Sequence, residues 1–269
     1  MIPKKIHYCW IGGNPLPELA VKCIESWKKY CPDYEIIEWN EKNYDFKKIQ
    51  FMKEAYEEKK WGFVPDYARL DIIYEHGGIY LDTDVEIVKS FDKLLTNTAF
   101  AGMEQPGIVA LGLGFGAEPG NPLIKEFMEY YEGRSFYNEN GSVDTAASPR
   151  IQTKTLIAHG LKEENTIQSI GGMTIYPSEY FCPDNPYTGE FNVTKDTYSI
   201  HHYMASWMTP LDKVIFNISR RFDKRKKSQY VIERILSLPF RIVRKVKKKG
   251  IKEAFRTAGR KLTRNGNER

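Results

Sequence analysis

The segment "VPDYARLDIIYEHGGIYLDTD", residues 64–84, constrains this chain more than any other. Pro65 stands where a helix can begin, because the first helical N–H has no partner to lose. Ala68, Ile72 and Ile73 follow at helical spacing, and Gly77-Gly78 supplies the terminator that helices favour. Ile79, Tyr80 and Leu81 are strand formers that run directly into Asp82, Thr83 and Asp84. A helix that turns back into a strand ending on two carboxylates fits an open α/β sheet, where ligands gather at the carboxyl ends of the strands.

The surrounding pattern extends that fold class. Strands are expected at 4–10 and 34–39, with a helix between them over 17–30 and another over 47–60. Further strands are expected at 85–88, near 99–103 and at 108–116, with helices at 121–132 and 150–160. Strand and helix alternate in the first half and strands mix in the second, which predicts an α/β sheet with an antiparallel part.

Charge divides the chain of 269 residues. Residues 213–269 hold 20 Lys+Arg against 4 Asp+Glu, whereas residues 1–212 hold 20 against 31. The expected organisation is therefore a globular domain over 1–212 and a basic tail over 213–269. No apolar leader follows the initial "MIPKKIHYCWIGG", and no apolar run is long enough to span a bilayer, so a cytoplasmic location is expected. Cys9, Cys23, Cys31 and Cys182 form no C-x-x-C pair and read as free thiols.

Four features carry candidate chemistry. Asp82 and Asp84 sit at i and i+2 on a turn, so one carboxylate can hold a hard divalent cation while the other meets a ligand hydroxyl. An Asp-x-Asp turn alone is more often a residue bonding its own backbone. Asp66 and Arg69 share one helical face; as an exposed pair they would contribute at most about 1 kcal/mol, but beside the strand they can meet sugar hydroxyls and phosphate. Trp10 closes a strand ahead of Gly12-Gly13, and reads equally as a base-stacking platform or a core residue. "SIHHYMASW", residues 199–207, runs from a strand into a loop bearing His201, His202, Ser206 and Trp207. Its histidines are either metal ligands or ordinary surface residues.

Taken in order, "IHYCWIGG", "PDYARLDIIYEHGGIYLDTD" and "HHYMASW" resemble glycosyltransferase family 32, the DXD sugar-binding group that includes bacterial capsular and cell-wall polysaccharide transferases. They are also similar to the catalytic domain of the large clostridial glucosylating toxins. The resemblance covers about residues 1–210. It implies a GT-A fold (a Rossmann-like mixed sheet flanked by helices), a nucleotide-sugar donor, most simply a UDP-sugar, Mn²⁺ or Mg²⁺, and retention of anomeric configuration. By motif, Trp10 would stack on the base, and Asp66 and Arg69 would hold the donor sugar and diphosphate near Tyr80. Asp82 would contact ribose and sugar hydroxyls, and Asp84 would bind the metal. His202, five residues before Trp207, would be the second ligand, with His201 set aside as pointing to the opposite face. Ser206 and Trp207 would cover the leaving phosphate.

Two departures stand out. Gly112, Gly114 and Gly116 occupy the stretch where family members often carry a donor-contacting Asn, and "DTAASPRIQT" replaces a more usual T-G-P. Both motif carboxylates are committed to metal and donor, which leaves no obvious nucleophile and favours front-side substitution.

In the tail, Ile232, Ile235, Leu236, Phe240, Ile242, Val243 and Val246 fall on one side of a helical wheel over 229–249. Arg234, Arg241, Arg244, Lys245 and Lys248 fall on the other, and Pro239 is expected to kink or divide the helix. Such a segment reads as an interfacial helix drawn to anionic lipid, which suits a lipid-linked glycan acceptor at the inner face of the cell membrane. A solvated or docked tail is the plainer reading, and no nucleic-acid motif accompanies the charge. The expected function is a retaining hexosyltransferase of bacterial capsule or surface polysaccharide biosynthesis. The alternatives are a protein-modifying glycosyltransferase and a non-catalytic membrane- or nucleic-acid-binding protein with a structural acidic turn.

Overall fold

A computed structural model describes residues 1–144, 146–184, 191–204 and 227–249, with a few further positions between 211 and 222. Two compact units are distinguished, residues 1–185 with 191–204, and the remainder.

The larger unit opens with strand β1 (Lys5–Cys9), helix α1 (Glu18–Tyr30), strand β2 (Glu35–Trp39) and helices α2 (Gln50–Glu57) and α3 (Val64–His76). Strands β3 (Gly78–Tyr80), β4 (Val85–Ile87), β5 (Ala99–Gln105), β6 (Ile108–Val109) and β7 (Phe115–Ala117) follow. Helices α4 (Pro122–Glu129) and α5 (Ser148–Ala158), strands β8 (Gln168–Ile170) and β9 (Met173–Tyr176), helix α6 (Ser178–Phe181) and strand β10 (Ser199–His201) complete it.

The main sheet runs β2-β1-β3-β7-β5-β9-β8, with β6 paired to β5. β2, β1 and β3 are parallel, β7 is antiparallel to both β3 and β5, and β9 is parallel to β5. This is the mixed α/β sheet flanked by helices that the sequence predicts. β4 and β10 form a separate antiparallel ribbon.

Strand alternation builds a core on each face of the sheet. Tyr80, Ala99, Ala101 and Met103 join the cluster containing α3 residues Leu70, Ile72 and Ile73. Ile6, Ile79, Leu81 and Phe100 join the cluster containing Trp27 of α1 and Phe181 of α6. α3 is buried along nearly its whole length, including Asp66, Arg69 and Asp71. Asp71 is satisfied by the Tyr44 hydroxyl at 2.7 Å and by Lys48 at 2.7 and 2.9 Å. Gly77 adopts φ +61° at the end of α3, as the Gly-Gly signal predicts.

One expectation is corrected. The continuous strand foreseen over 108–116 is broken into β6, a 3₁₀ turn at Leu111–Leu113 and β7. Gly112 lies in that turn, and Gly114 takes φ +130°, a backbone conformation that residues with a side chain rarely adopt. All four cysteines are buried, and none forms a disulfide among the described residues.

In the smaller unit, helix α7 (Lys227–Lys249) continues through Pro239 rather than dividing there. Arg241 bonds Glu233 at 2.7 Å and the Ser237 hydroxyl at 2.7 Å, and Glu233 and Ser237 are buried. Ile232, Ile235, Leu236, Ile242 and Val243 are exposed. Among the described residues, no helix is long and apolar enough to cross a membrane.

Candidate active site

β1 and β3 are parallel neighbours with His7 opposite Tyr80, so both chains leave the sheet at one edge, at Trp10 and Asp82. Asp82 leaves it held at both ends. Its N–H donates to the Gly112 carbonyl at 3.3 Å, and its own carbonyl accepts from Val85 at 3.1 Å, closing the Asp-Thr-Asp turn. The turn then enters β4, whose antiparallel partner β10 brings residues 199–201 alongside.

His201 stands opposite Val85 in that ribbon, and its Nε2 lies 3.2 Å from Asp84 Oδ1. The backbone N–H of Met204 donates to Asp84 Oδ2 at 2.7 Å. Asp82, Asp84 and His201 each present a ligand atom, and all three atoms lie within 4.8 Å of one another. Two carboxylates and an imidazole whose buried Nδ1 has no hydrogen-bond partner among the described residues form a donor set suited to one divalent cation.

The structure places His201, not His202, beside Asp84. His202 was expected to join Asp84, but its Nε2 meets Glu86 Oε2 at 2.8 Å instead. Neighbouring strand residues do point apart; which one turns inward depends on register. Directly paired residues share a face, and Val85, opposite His201, is a buried core residue. His202 turns to Glu86, and Asp84, which lies in the turn before β4, reaches across to His201. Counting back from Trp207 carries no information about that register.

Tyr203 shapes the loop that follows. Its φ is +50°, uncommon for a side chain larger than Asn, and its ring meets the His201 ring edge-on with centroids 4.1 Å apart. Its hydroxyl lies 3.1 Å from Glu104 and 3.0 Å from the Cys182 sulfur. This bend carries the Met204 N–H back toward Asp84. Sequence reading missed Tyr203, since nothing in "HHYMASW" announces left-handed backbone at a tyrosine.

Asp66 and Arg69 are brought to the same site. Arg69 Nη2 lies 3.1 Å from Asp66 and Nη1 3.6 Å from Asp82, so one guanidinium spans the two acids. Its Nε donates to the Pro65 carbonyl at 2.9 Å, and its charge lies 5.2 Å from the centre of the Tyr80 ring. Gly112 completes this wall. A Cβ there would stand 2.3 Å from Asp82 Oδ2 and 3.2 Å from Arg69 Nη1, so any side chain at this position would displace the Asp82 carboxylate. The glycine that seemed to leave a donor contact missing is the residue against which Asp82 lies.

Electrostatics separate the acids. Burial lifts Asp66 to about 6, although Arg69 pulls the other way. Burial also raises Asp82, again opposed by Arg69 and reinforced by Asp84. Burial pushes Asp84 up as well, but His201 and the Met204 N–H outweigh it and hold Asp84 at about 2. His201 is raised against its own burial by the Asp84 charge.

Trp10 is half-buried at the same edge, and its Nε1 donates to the Asn14 carbonyl at 2.6 Å, which fixes the ring's orientation. Ser206 and Trp207 lie outside the described residues.

Comparison with known proteins shows what the sequence is similar to. Residues 17–101 match the family described as "Glycosyltransferase sugar-binding region containing DXD motif", a stretch that includes Asp66, Arg69, Asp82 and Asp84. Inositol phosphoceramide mannosyltransferase 1 of Schizosaccharomyces pombe is 30% identical over 138 residues, 46% of this chain and 40% of that protein. The chain thus spans two fifths of that relative's length. An uncharacterized glycosyltransferase of Acanthamoeba polyphaga mimivirus is 26% identical over 77% of this chain and 84% of its own. Among solved structures, PaToxG glycosyltransferase aligns with a TM-score of 0.45 and 21% identity, over 58% of this chain and 68% of that one. The chain is thus similar in sequence to glycosyltransferases with a DXD sugar-binding region, and Asp82-Thr83-Asp84 is the Asp-x-Asp of the matched stretch.

Proposed function

We propose that this chain is a metal-dependent, retaining glycosyltransferase of the GT-A type that moves a hexose from a nucleotide sugar, of which a UDP-sugar is the best candidate, to a glycan acceptor. The convergence of Asp82, Asp84 and His201 beside the Asp66–Arg69 pair carries this reading. Asp84 and His201 would hold Mn²⁺ or Mg²⁺, with Asp82 adjacent. When bound, the cation would supply charge neutralisation to a departing diphosphate.

The chain's own residues would do the rest. Trp10 offers an aromatic face to the base, and Arg69 faces phosphate. Asp66 and Asp82 accept from donor hydroxyls, with Tyr80 packed beneath Arg69. Ser206 and Trp207 would close over the phosphate. No further carboxylate is needed as nucleophile in front-side substitution. The acceptor oxygen bonds the anomeric carbon as the carbon–phosphate oxygen bond breaks, and the acceptor proton passes to the leaving diphosphate. Catalysis then rests on positioning and electrostatic stabilisation of the leaving group.

The organisation into a catalytic domain over 1–212 and a basic tail over 213–269 belongs to the same proposal. The exposed apolar side chains of α7, flanked by Lys and Arg, support attachment to an anionic membrane surface, with a lipid-linked acceptor at the inner face of a cell membrane. Surface-polysaccharide synthesis is the setting that fits such an acceptor. The deciding experiment measures hydrolysis across a panel of nucleotide sugars with Mn²⁺, for the natural chain and Asp84→Asn. Turnover that vanishes in the variant while its circular dichroism is unchanged supports the proposal; equal turnover in both overturns it.

A further inference from the structure

Tyr203 holds a backbone conformation that nothing above accounts for. Its φ of +50° lies in the left-handed region, which a bulky side chain keeps only where its surroundings enforce it. Its hydroxyl supplies that enforcement. The phenol donates to Glu104 Oε1 at 3.1 Å and lies 3.0 Å from the Cys182 sulfur, and both Glu104 and Cys182 are buried.

Glu104 reaches this point from the main sheet. β7 is antiparallel to both β3 and β5, so β5 runs in the direction of β3, and its carboxyl end lies at the edge where Asp82 leaves. Glu104 is the last residue but one of β5. The β4–β10 ribbon, by contrast, forms a sheet of its own. The bond between Tyr203 and Glu104 therefore ties the end of that ribbon, where His201 stands, to a strand of the main sheet.

His201 needs such a tie. A histidine that ligates a metal is ordinarily oriented by a hydrogen bond from its other ring nitrogen. Here Nε2 faces Asp84, and the buried Nδ1 has no hydrogen-bond partner among the described residues. The ring is set by packing instead, with Tyr203 against it edge-on at an interplanar angle of 77°. The residue after Tyr203 then gives its N–H to Asp84 Oδ2. One tyrosine thus acts on two members of the cluster, on His201 through its ring and on Asp84 through the backbone it bends.

We propose that Glu104 and Tyr203 are positioning residues for the metal centre. The carboxylate holds the phenol, the phenol holds the bend, and the bend keeps His201 and Asp84 close enough to share one cation. This rests on the metal reading of the Asp82–Asp84–His201 cluster. Neither residue belongs to that cluster; each acts through it.

The test measures Mn²⁺ affinity of the full chain by electron paramagnetic resonance, with thermal unfolding alongside. The variants are Tyr203→Phe, Glu104→Leu, Glu104→Gln, and Tyr203→Phe combined with Glu104→Leu. Tyr203→Phe keeps the ring and removes only the hydroxyl, whereas Glu104→Gln keeps an acceptor oxygen and removes only the charge. Affinity should fall about tenfold in Tyr203→Phe and in Glu104→Leu, and no further in the double variant, because the two act as one unit. The line shape of bound Mn²⁺ should change with it, and Glu104→Gln should stay within about threefold of the natural chain. Lower thermal stability with unchanged Mn²⁺ affinity, or losses that simply add in the double variant, would overturn the proposal. Equal weakening in Glu104→Gln and Glu104→Leu would also overturn it, by assigning the effect to charge. If the natural chain binds Mn²⁺ and Tyr203→Phe binds it as tightly, the positioning role falls while the metal reading stands. If the natural chain binds none, both fall.

Discussion

The Trp39 indole donates to His7 Nδ1 at 3.0 Å, from β2 to the neighbouring parallel strand β1. An indole N–H can only donate, so His7 Nδ1 must accept, and His7 Nε2 is left to donate to the Gly77 carbonyl at 3.0 Å. The imidazole is thus neutral, buried and fixed in one tautomer. It also packs against Gly78, where a Cβ would come within 2.9 Å of Nε2. The "IHYCW" histidine therefore buttresses the turn that aims β3 at Asp82.

His7 should make stability depend on pH. Burial lowers it from 6.5 to about 4, so the unfolded chain takes up a proton before the folded one does. Its contribution is full above pH 6.5 and is lost as pH falls toward 4. At pH 5 the loss amounts to about 2 kcal/mol. Urea unfolding at pH 7.5 and 5 should show that difference between the natural chain and His7→Gln, whose pH slope should be shallower. Parallel slopes would remove His7 as the cause.

Gly112→Ala should disable the site without unfolding the domain. The new methyl group would overlap Asp82 Oδ2 and crowd Arg69 Nη1. Both groups must move, and activity should fall by about a hundredfold. Circular dichroism and donor turnover, measured together, check this; a variant with full turnover would show that Asp82 has room to yield.

The two histidines should separate cleanly. His201→Ala should weaken Mn²⁺ binding by about tenfold or more, whereas His202→Ala, which loses a half-exposed contact to Glu86, should stay within about twofold. Titration of Mn²⁺ followed by electron paramagnetic resonance distinguishes them. The reverse pattern would restore His202 to the metal.

For α7, Ile235→Asp with Leu236→Asp removes exposed apolar surface at little cost to folding, since these side chains are 63% and 49% exposed. Co-sedimentation with anionic vesicles should fall by about tenfold or more, and thermal unfolding should not change. Equal pelleting of variant and natural chain would exclude this face as the contact.

What the sequence disclosed follows from the range of the interactions involved. The helix over 64–76, its glycine stop and the acidic turn were readable because caps and turns are local. Asp66 and Arg69 could be paired because i and i+3 share a helical face. The choice of His201 depended on how β10 aligns with β4, a pairing between segments more than a hundred residues apart. Gly112 was visible as a glycine but not as the neighbour of Asp82, which becomes apparent only once the 3₁₀ turn folds beneath β3.

The bond between His202 N–H and the Asp84 carbonyl, 2.9 Å long, and the neighbouring His201 contact join segments made at very different moments of synthesis. A ribosome adding about 5–20 residues per second needs several seconds to travel from the acidic turn to the histidines. Throughout that interval the nascent polypeptide has its carboxylates but not the imidazole that completes them. On the metal role proposed above, chelating competence is a late event, gained when the final strand zips onto its partner. A translation product truncated before that strand should then fail to turn over donor, however well its first half had folded.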